Sequence, residues 1–368
     1  MILLREGDYI EKYWLWLISI EDMYNDKIKR IMSVFNNPRE LFFASENMLK
    51  KSKVINDKEL SKIILSRKVY SYDKFKESLD KKKIKFITMN SKDYPENLKK
   101  IYDPPYGLFI KGNTIPNNPS VAIVGARNCT LYGKGIAEKI AELFSINGID
   151  VISGMARGID TSAHKGALKQ GGRTFAVLGC GVDICYPREN INIFSEIQKK
   201  GCIISEYPPG KDPLKWHFPA RNRIISGLAD VIILVEAKER SGSLITVECA
   251  LEQGKDVYAV PGRLDDELSK GCNELIKSGA DIFTCTEEVV ELLNTRYGLT
   301  NKILQKEKYS IAKEYEVVYS GLDLYPKNVD TIIEETGLKS EEILRILLQL
   351  QLLNLVDEPI KGYYSRRD

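Results

Sequence analysis

Residues 121–160 read VAIVGARNCTLYGKGIAEKIAELFSINGIDVISGMARGID, and this stretch decides the fold. The short apolar run at residues 121–124 predicts a parallel strand that is buried on both faces. Residues 133–147 carry apolar side chains at helical spacing, and Gly148 follows where a C-terminal cap is expected. A second strand is predicted at residues 151–153. The stretch therefore predicts a β–α–β unit of a doubly wound α/β sheet.

Each of these two strands ends in a glycine turn that carries an arginine. Arg127 follows Gly125 closely, and Arg157 follows Ser153 and Gly154. Both turns open at the carboxyl edge of the sheet, where doubly wound proteins bind ligands. Backbone N–H groups and guanidinium groups can hold a phosphate there, although tight helix–strand packing also explains the glycines. Because the first turn lacks G-x-G-x-x-G, the sequence favours an anion site without specifying a dinucleotide.

Composition limits the possible classes of function. With 54 basic and 51 acidic residues in 368, the net charge is only +3, so a nucleic-acid surface has to be local. The seven cysteines include no C-x-x-C pair, which favours reduced thiols in a cytoplasmic protein. With two histidines, neither a metal site nor a cofactor is expected. No apolar run in the sequence is long enough to cross a membrane.

The length predicts two or three domains, and the pattern of apolar residues divides the chain further. Residues 1–88 predict a small helical domain whose many lysines alternate with acidic residues, which favours a solvated surface over a nucleic-acid face. A proline-rich connector then leads to one strand at residues 108–110. Residues 89–298 predict the α/β domain. Its further short buried runs are residues 174–178, 202–205, 231–235 and 257–260.

A second informative stretch, residues 211–227, reads KDPLKWHFPARNRIISG. It places two aromatic rings, an imidazole and four basic residues within thirteen positions. A single-strand binder needs this combination, because bases stack on rings and cations hold phosphates. The alternative is that the rings belong to the core; it is favoured for Trp216 and stays open for Phe218. Residues 236–246, which leave a strand and open a helix, are another place to receive an anion.

Five motifs then occur in an order that resembles one protein family. They are G-A-R at residues 125–127, S-G-M-A-R-G-I-D at 153–160, F-P-A-R-N-R-I-I-S-G-L at 218–228, G-S-L-I-T at 242–246 and V-P-G at 260–262. They resemble the DNA-processing protein A (DprA, or Smf) family of bacterial single-stranded-DNA-binding proteins. The resemblance implies an extended Rossmann-like domain that binds single strands, dimerises and helps load the recombinase RecA during natural transformation. It implies a binding protein with no catalytic residues.

The resemblance also implies which residues bind DNA. The family's pocket arginine corresponds to Arg127, and its lysine and aromatic residue correspond to Lys215 and Phe218 through the K-x-x-F spacing. The remaining positions are turn glycines, a turn serine and motif arginines. The full implied set is Gly125, Arg127, Ser153, Gly154, Arg157, Lys215, Phe218, Arg221 and Arg223.

The flanking regions resemble the family less closely. Family members often carry an N-terminal sterile-alpha-motif-like helical domain and a C-terminal winged helix, here predicted at residues 309–368. The second helix of that domain begins with acidic residues and carries one cation, Arg345, so a contact with protein is favoured over duplex recognition. The predicted elements are helices at residues 328–336 and 340–352, a turn at Gly337, and wing strands at residues 355–356 and 363–364.

A second hypothesis is a nucleotide-derivative-binding or hydrolysing enzyme of the related lysine-decarboxylase-like Rossmann group. In that case residues 242–248, G-S-L-I-T-V-E, would play the part of that group's catalytic loop. A mononucleotide enzyme has no reason to carry the K-x-x-F and R-N-R segments, so single-strand binding is favoured. A thermal shift with polynucleotide or with free nucleotide would discriminate the two hypotheses.

Overall fold

A sheet of nine strands organises the first of two units, Met1–Ile303, and the second unit is Leu304–Asp368. The computed structural model describes residues 6–298, 313–323, 325–353 and 355–366. The strands of the large sheet are β1 (Lys85–Thr88), β2 (Gly107–Gly112), β3 (Ser120–Val124), β4 (Asp150–Ser153), β5 (Thr174–Val177), β6 (Cys202–Ser205), β7 (Val231–Leu234), β8 (Asp256–Ala259) and β9 (Asp281–Ile282).

The order of strands across the sheet is β1-β2-β6-β5-β4-β3-β7-β8-β9. All neighbours from β6 to β9 pair in parallel, whereas β1, β2 and β6 pair antiparallel at one edge. Strands β3 to β7 are buried along their whole length, so helices must cover both faces. The predicted α/β fold with a doubly wound, mostly parallel sheet is confirmed.

Helices in this unit precede the sheet, connect its strands or, in the case of the last one, follow β9. They are α1 (Glu6–Ser19), α2 (Asn25–Met32), α3 (Pro38–Phe43), α4 (Glu46–Lys51), α5 (Asp57–Val69), α6 (Tyr72–Lys81), α7 (Glu96–Lys99), α8 (Leu131–Ile146), α9 (Ile159–Lys169), α10 (Ile191–Lys200), α11 (His217–Leu228), α12 (Gly242–Glu252), α13 (Lys270–Lys277) and α14 (Thr286–Tyr297).

Two helical layers sandwich the parallel strands. Helices α8, α9 and α14 pack on one face, where Phe144 is fully buried against the strands. Helices α7, α11, α12 and α13 pack on the other face around Ile224 and Ile225. Helix α8 begins at Leu131, before the predicted start at residue 133, because the Thr130 side chain accepts a hydrogen bond from the N–H of Gly133 and caps the first turn.

The N-terminal helices α1–α6 share a core with the sheet. Leu15, Trp16 and Leu17 of α1 are fully buried, in one apolar cluster with Ala176 of β5 and Ile203 of β6. The prediction of one strand before residue 111 is wrong, since β1 pairs with β2 as a second, antiparallel strand. The short segment KFIT lies at the end of a lysine run, which hides its strand pattern.

The second unit contains helices packed on a small sheet. The predicted helix–turn–helix and hairpin elements are present, with the turn residue Gly337 at φ 67° and the sheet in the order β10-β12-β11. The winged-helix assignment and the domain limits at residues 88, 89, 298, 309 and 368 stay predictions, and residues 299–312 lie outside the described ones. The elements are α15 (Lys313–Gly321), β10 (Lys327–Asn328), α16 (Val329–Thr336), α17 (Ser340–Leu352), β11 (Val356–Ile360) and β12 (Tyr363–Arg366).

Among the helices that the structure describes, none combines the length and the apolar character needed to span a bilayer.

Candidate nucleic-acid interface

A cavity of about 620 Å³ opens where β3 and β7 end side by side. The chain passes from β3 to one side of the sheet through β4, β5 and β6, and from β7 to the other side through β8 and β9. The cavity therefore lies at the topological switch point, where doubly wound sheets bind ligands. The turn after β3 lines it with Gly125 and Arg127, the turn after β7 with Lys238 and Arg240, and the start of α11 with Phe218.

Glu236, a buried residue just after β7, fixes the turn that follows β3. Its carbonyl oxygen accepts the N–H of Ala126 at 2.7 Å. Its carboxylate accepts the N–H of Thr130 at 2.9 Å and the Thr130 hydroxyl at 2.5 Å. A Cβ on Gly133 would lie 2.4 Å from that carboxyl carbon, so the close approach requires glycine. Arg127 is therefore presented by a turn whose backbone is already ordered.

Two aromatic rings and a guanidinium group meet at the mouth of the cavity. The guanidinium carbon of Arg127 lies 5.6 Å from the centroid of the Phe218 ring, within the range of a cation–π contact. The ring of Tyr186 lies 5.6 Å from the same ring, at an interplanar angle of 34°. Phe218 is half-buried and lines the cavity, while Arg127 and Tyr186 are exposed. A nucleic-acid base at the mouth of the cavity can stack on these rings, next to a group that binds phosphate.

The rim of the cavity is basic. Arg127, Lys215, Lys238 and Arg240 all line it and are exposed. Lys238 also pairs with Glu267 at 2.6 Å, but both side chains are more than half exposed, so solvent screens this pair. Among the described residues that line the cavity, the only carboxylate is Asp160. The rim therefore attracts an anion.

Two buried charged side chains, Arg221 and Asp160, form the floor of the cavity. Arg221 donates to the carbonyl oxygen of Gly154 at 2.7 Å and to that of Val177, which ties the turn after β4 to β5. Asp160 accepts the N–H groups of Gly154 at 3.1 Å and Ala156 at 3.2 Å. Burial lowers the pKa of Arg221 to about 10, although Asp160 opposes this effect, and burial raises the pKa of Asp160. The pair shapes the turns that present the rim.

Ser153 at the end of β4 and Gly154 in the turn that follows do not line the cavity. Ser153 is fully buried, and its hydroxyl donates to the carbonyl oxygen of Ile123 at 2.7 Å. Gly154 is close to the floor, because a Cβ there would lie 2.5 Å from a guanidinium nitrogen of Arg221. Gly125 lines the cavity, and a Cβ there would lie 2.7 Å from a side-chain carbon of Ile159.

Arg157 and Arg223 both hold carboxylates and do not line the cavity. Arg157 is exposed and forms a bidentate pair with Glu189, with both N–O distances at 2.9 Å. Arg223 donates to Asp103 at 3.0 Å and to Glu206 at 2.6 Å. The structure thus brings Gly125, Arg127, Lys215, Phe218 and Arg221 together around one cavity, with Gly154 beside its floor. The DNA-binding roles of all nine residues stay predictions.

Some features of this surface could not be predicted from the sequence. The favoured core position for Trp216 is wrong, because the side chain is 60% exposed. The sequence carries no signal for Tyr186, since only the fold brings it to Phe218. Lys238 and Arg240 fall in residues 236–246, which the sequence singles out as an anion-binding turn.

The enzyme hypothesis depends on residues 242–248. Gly242, Ser243 and Thr246 line the cavity, whereas Glu248, the carboxylate of that segment, is exposed and does not. In the part of the chain that the structure describes, no cluster of three or more His, Cys, Asp or Glu side chains could hold a metal ion.

The fold and the cavity together define a Rossmann-like α/β protein with an arginine- and aromatic-lined site at its switch point. The family described as DNA recombination-mediator protein A matches residues 85–294. This chain belongs to that family. The resemblance found in the sequence motifs is thereby confirmed.

Relatives and solved structures agree with this assignment. The chain is 48% identical to the DNA processing protein DprA of Streptococcus pneumoniae over 198 residues, which are 54% of this chain and 70% of that protein. It is 30% identical to protein Smf of Synechocystis sp. over an alignment of 393 residues that covers 97% of this chain and 99% of Smf.

The crystal structure of the S. pneumoniae DprA matches with a TM-score of 0.64 and 36% identity, over 76% of this chain and 97% of that chain. The structure of DNA processing protein A from Helicobacter pylori, which concerns a unique single-stranded DNA binding mode, matches with a TM-score of 0.52 and 32% identity. It covers 58% of this chain and 97% of that chain.

Proposed function

We propose that this chain binds single-stranded DNA in the cavity at the switch point and acts by binding rather than by catalysis. The observation that carries the proposal is the contact between Arg127 and Phe218 at the mouth of the cavity. Lys215, Lys238 and Arg240 complete a basic rim around that pair. The similarity to the H. pylori protein, whose structure concerns single-stranded DNA binding, supports the proposal.

The chemistry of the rim suits an unpaired strand. In a duplex, each base face is covered by the neighbouring bases, so the rings of Phe218 and Tyr186 have no free face to contact. In a single strand, a base can turn out and stack on these rings, while Arg127 and Lys215 contact the phosphates on either side. Stacking and phosphate contact both tolerate any base, so the binding is largely independent of sequence.

The N-terminus of α12 adds a phosphate-binding element. Ser241 caps the helix, and its hydroxyl oxygen accepts the N–H of Ser243 at 3.3 Å. Ser241, Gly242 and Ser243 line the cavity. Helix N-termini present free N–H groups and the positive end of the helix dipole. A phosphate that enters between Arg127 and this helix meets both kinds of donor.

The implied residues take two roles in this proposal. Arg127, Lys215 and Phe218 contact the strand directly, and Gly125 lets the backbone approach it. Arg221, with Ser153 and Gly154, holds the turns beneath the rim. Arg157 and Arg223 bind DNA only where the strand displaces the carboxylates that they now hold.

The biological role that we propose is recombination mediation. The protein protects incoming or recombining single strands as a homodimer in the cytoplasm and helps load RecA onto them. Membership of the family described as DNA recombination-mediator protein A supports this role. RecA loading is tested by RecA ATP hydrolysis on strands coated with single-strand-binding protein. We expect this protein to raise the rate, and an unchanged rate would contradict the loading role.

A thermal shift separates the binding proposal from the enzyme hypothesis. Oligothymidine should raise the melting temperature, because a ligand that binds only the folded state stabilises it by mass action. Free thymidine monophosphate, which offers one phosphate and one base, should give little shift at the same nucleotide concentration. A shift with the mononucleotide equal to that with the oligonucleotide would contradict strand binding.

A further inference from the structure

Trp216 is an exposed aromatic side chain that the cavity does not use. Its side chain is 60% exposed, whereas Trp14 is 9% and Trp16 is 0% exposed. It lies at the start of α11, directly after the rim residue Lys215. An exposed tryptophan leaves a large apolar area in water and is typical of a binding surface. The indole therefore extends the basic and aromatic surface beyond the cavity.

The N-terminal helices hold this indole in place. Tyr24, the residue before α2, forms an aromatic group with Trp216 through the ring of His217. The Tyr24 hydroxyl donates to Asp22 at 3.0 Å, which fixes the tyrosine ring. The ring of His217 lies beneath, 5.4 Å from Tyr24 and 5.9 Å from Trp216. These contacts order the ring while leaving much of it open to solvent.

Lysines surround the same region. The ammonium groups of Lys27 and Lys211 lie 5.8 Å and 5.7 Å from the centroid of the tyrosine ring. Lys62 donates to Asp22 at 2.6 Å and lies 3.9 Å from Glu21. Lys27 also lies 4.0 Å from Glu59, and Lys211 lies 3.8 Å from Asp22, so the three lysines face three carboxylates. The Lys211–Asp22 distance is longer than a hydrogen bond, so the Lys211 ammonium group can turn toward a phosphate without breaking the Lys62–Asp22 pair.

We infer that Trp216 is a second stacking position for the single strand. The strand leaves the cavity along Lys215, stacks a base on the indole and continues over Lys211 toward the N-terminal helices. Tyr24 is a positioning residue, since its ring packs against His217, which lies beside the indole. The inference rests on the proposed function, and it makes the N-terminal helical region part of the DNA site.

Intrinsic fluorescence tests the stacking directly. Because Trp14 and Trp16 are buried, quenching by an oligonucleotide reports mainly on Trp216. An oligothymidine of about twelve nucleotides should quench the emission of the wild-type protein, because this length reaches beyond one cavity. Trp216→Phe should remove the quenching and keep most of the affinity, since a phenyl ring still stacks.

The loss of affinity caused by removing the Trp216 ring should depend on the length of the strand. An oligonucleotide of about four nucleotides fills only the cavity, so Trp216→Ala should leave its affinity unchanged. The same variant should weaken binding of the longer strand by about fivefold to a hundredfold, which corresponds to the loss of one stacked base. Tyr24→Ala removes the ring that packs against His217, so it should reduce the quenching and weaken binding of the longer strand only. Phe43→Ala is the matched control, because Phe43 is 65% exposed and lines neither this region nor the cavity.

The outcomes separate this inference from the proposed function. Suppose that Arg127→Ala loses affinity for both strands while Trp216→Ala binds both as the wild type does. The cavity then remains the DNA-binding site, and the second stacking position is overturned. Emission that does not change when the longer strand binds overturns it as well. If the wild-type protein binds neither strand, the proposed function fails together with the inference.

Discussion

The guanidinium carbon of Arg127 lies 5.6 Å from the centroid of the Phe218 ring. A phosphate-binding group and a base-stacking ring are therefore adjacent, although 91 residues separate them in the chain. Each side chain limits the motion of the other, so less conformational entropy is lost when a strand binds. The two contributions can be measured separately, because one depends on salt and the other does not.

Arg127→Ala should weaken binding of single-stranded DNA by about 1.5–3 kcal/mol, or roughly tenfold to a hundredfold. The reason is the loss of a charge-assisted, bidentate phosphate contact. Arg127→Lys should recover part of the affinity, since an ammonium keeps the charge without the planar fork. Titration of a labelled oligonucleotide measures both variants.

The matched control for this variant is Arg263→Ala. Arg263 is an exposed arginine that pairs with Asp265 and does not line the cavity. The Arg263→Ala protein should bind single-stranded DNA as tightly as the wild type does. A folded Arg127→Ala protein with wild-type affinity would place the DNA site elsewhere.

Lys215→Ala and Phe218→Ala should impair DNA binding in different ways. Loss of Lys215 should weaken binding and make its salt dependence shallower by about one phosphate contact. Loss of the Phe218 ring should weaken binding by about 1–3 kcal/mol at every salt concentration, with the slope nearly unchanged. Titrations across a salt series measure both quantities.

Thermal melts distinguish this outcome from a core role for Phe218. A buried aromatic ring that is deleted costs about 3–5 kcal/mol and lowers the melting temperature by several degrees. Phe218 is only half-buried, so we expect a smaller loss. A large loss of melting temperature, with normal binding by the folded fraction, would assign the ring to the core.

Periodicity and turn chemistry predict the parallel core of the sheet, because continuous apolar runs such as residues 121–124 reflect burial on both faces. Strand β1 is missed because four residues beside a lysine run give no such signal. The sequence also predicts Arg127 and Phe218 as site residues. It does not predict Tyr186, since pairing with Phe218 depends on the tertiary fold.

Dependence on the tertiary fold also explains why the sequence does not distinguish the three motif arginines. The sequence marks Arg157, Arg221 and Arg223 alike, because each lies in a motif and carries the same charge. Their environments differ, because the fold brings Glu189 to Arg157 and Glu206 to Arg223 and places Arg221 under the cavity. Only tertiary contacts separate an arginine that faces a ligand from one that holds a turn.

Arg221→Ala should act mainly on stability. Its removal leaves the carbonyl groups of Gly154 and Val177 without their buried donor and takes a positive charge away from the vicinity of Asp160, so the free energy of unfolding should fall by about 1–3 kcal/mol for each carbonyl group left unpaired. Arg157→Ala, which breaks only an exposed pair, should leave it unchanged. Denaturant melts compare the two. An Arg221→Ala protein as stable as the wild type would contradict the role of Arg221 in holding the floor of the cavity.

Acid should destabilise the protein through His164. Burial lowers the pKa of His164 to about 3, and its Nδ1 lies 2.7 Å from the Thr174 hydroxyl. The unfolded histidine takes up a proton below a pKa of about 6.5, whereas the folded one does not. The stability that the neutral, buried His164 contributes is therefore fully present above about pH 6.5 and is lost as the pH falls toward 3. The loss attributable to this residue at pH 5.5 is about 1.4 kcal/mol.

His164→Gln provides the comparison, because a glutamine side chain does not titrate. Its free energy of unfolding should fall less steeply with acid between pH 6.5 and pH 4.5 than that of the wild type. Parallel curves for the two proteins would show that His164 does not titrate between the folded and unfolded states in the way its burial requires.

The most direct test of the account is the affinity for one labelled sequence, as a single strand and as a duplex, across a salt series. We expect tighter binding of the single strand at every salt concentration, an affinity that falls linearly with salt on logarithmic axes, and loss of the preference in Arg127→Ala. Equal binding of the single strand and the duplex at all salt concentrations would contradict the central claim that the cavity at the switch point binds unpaired DNA.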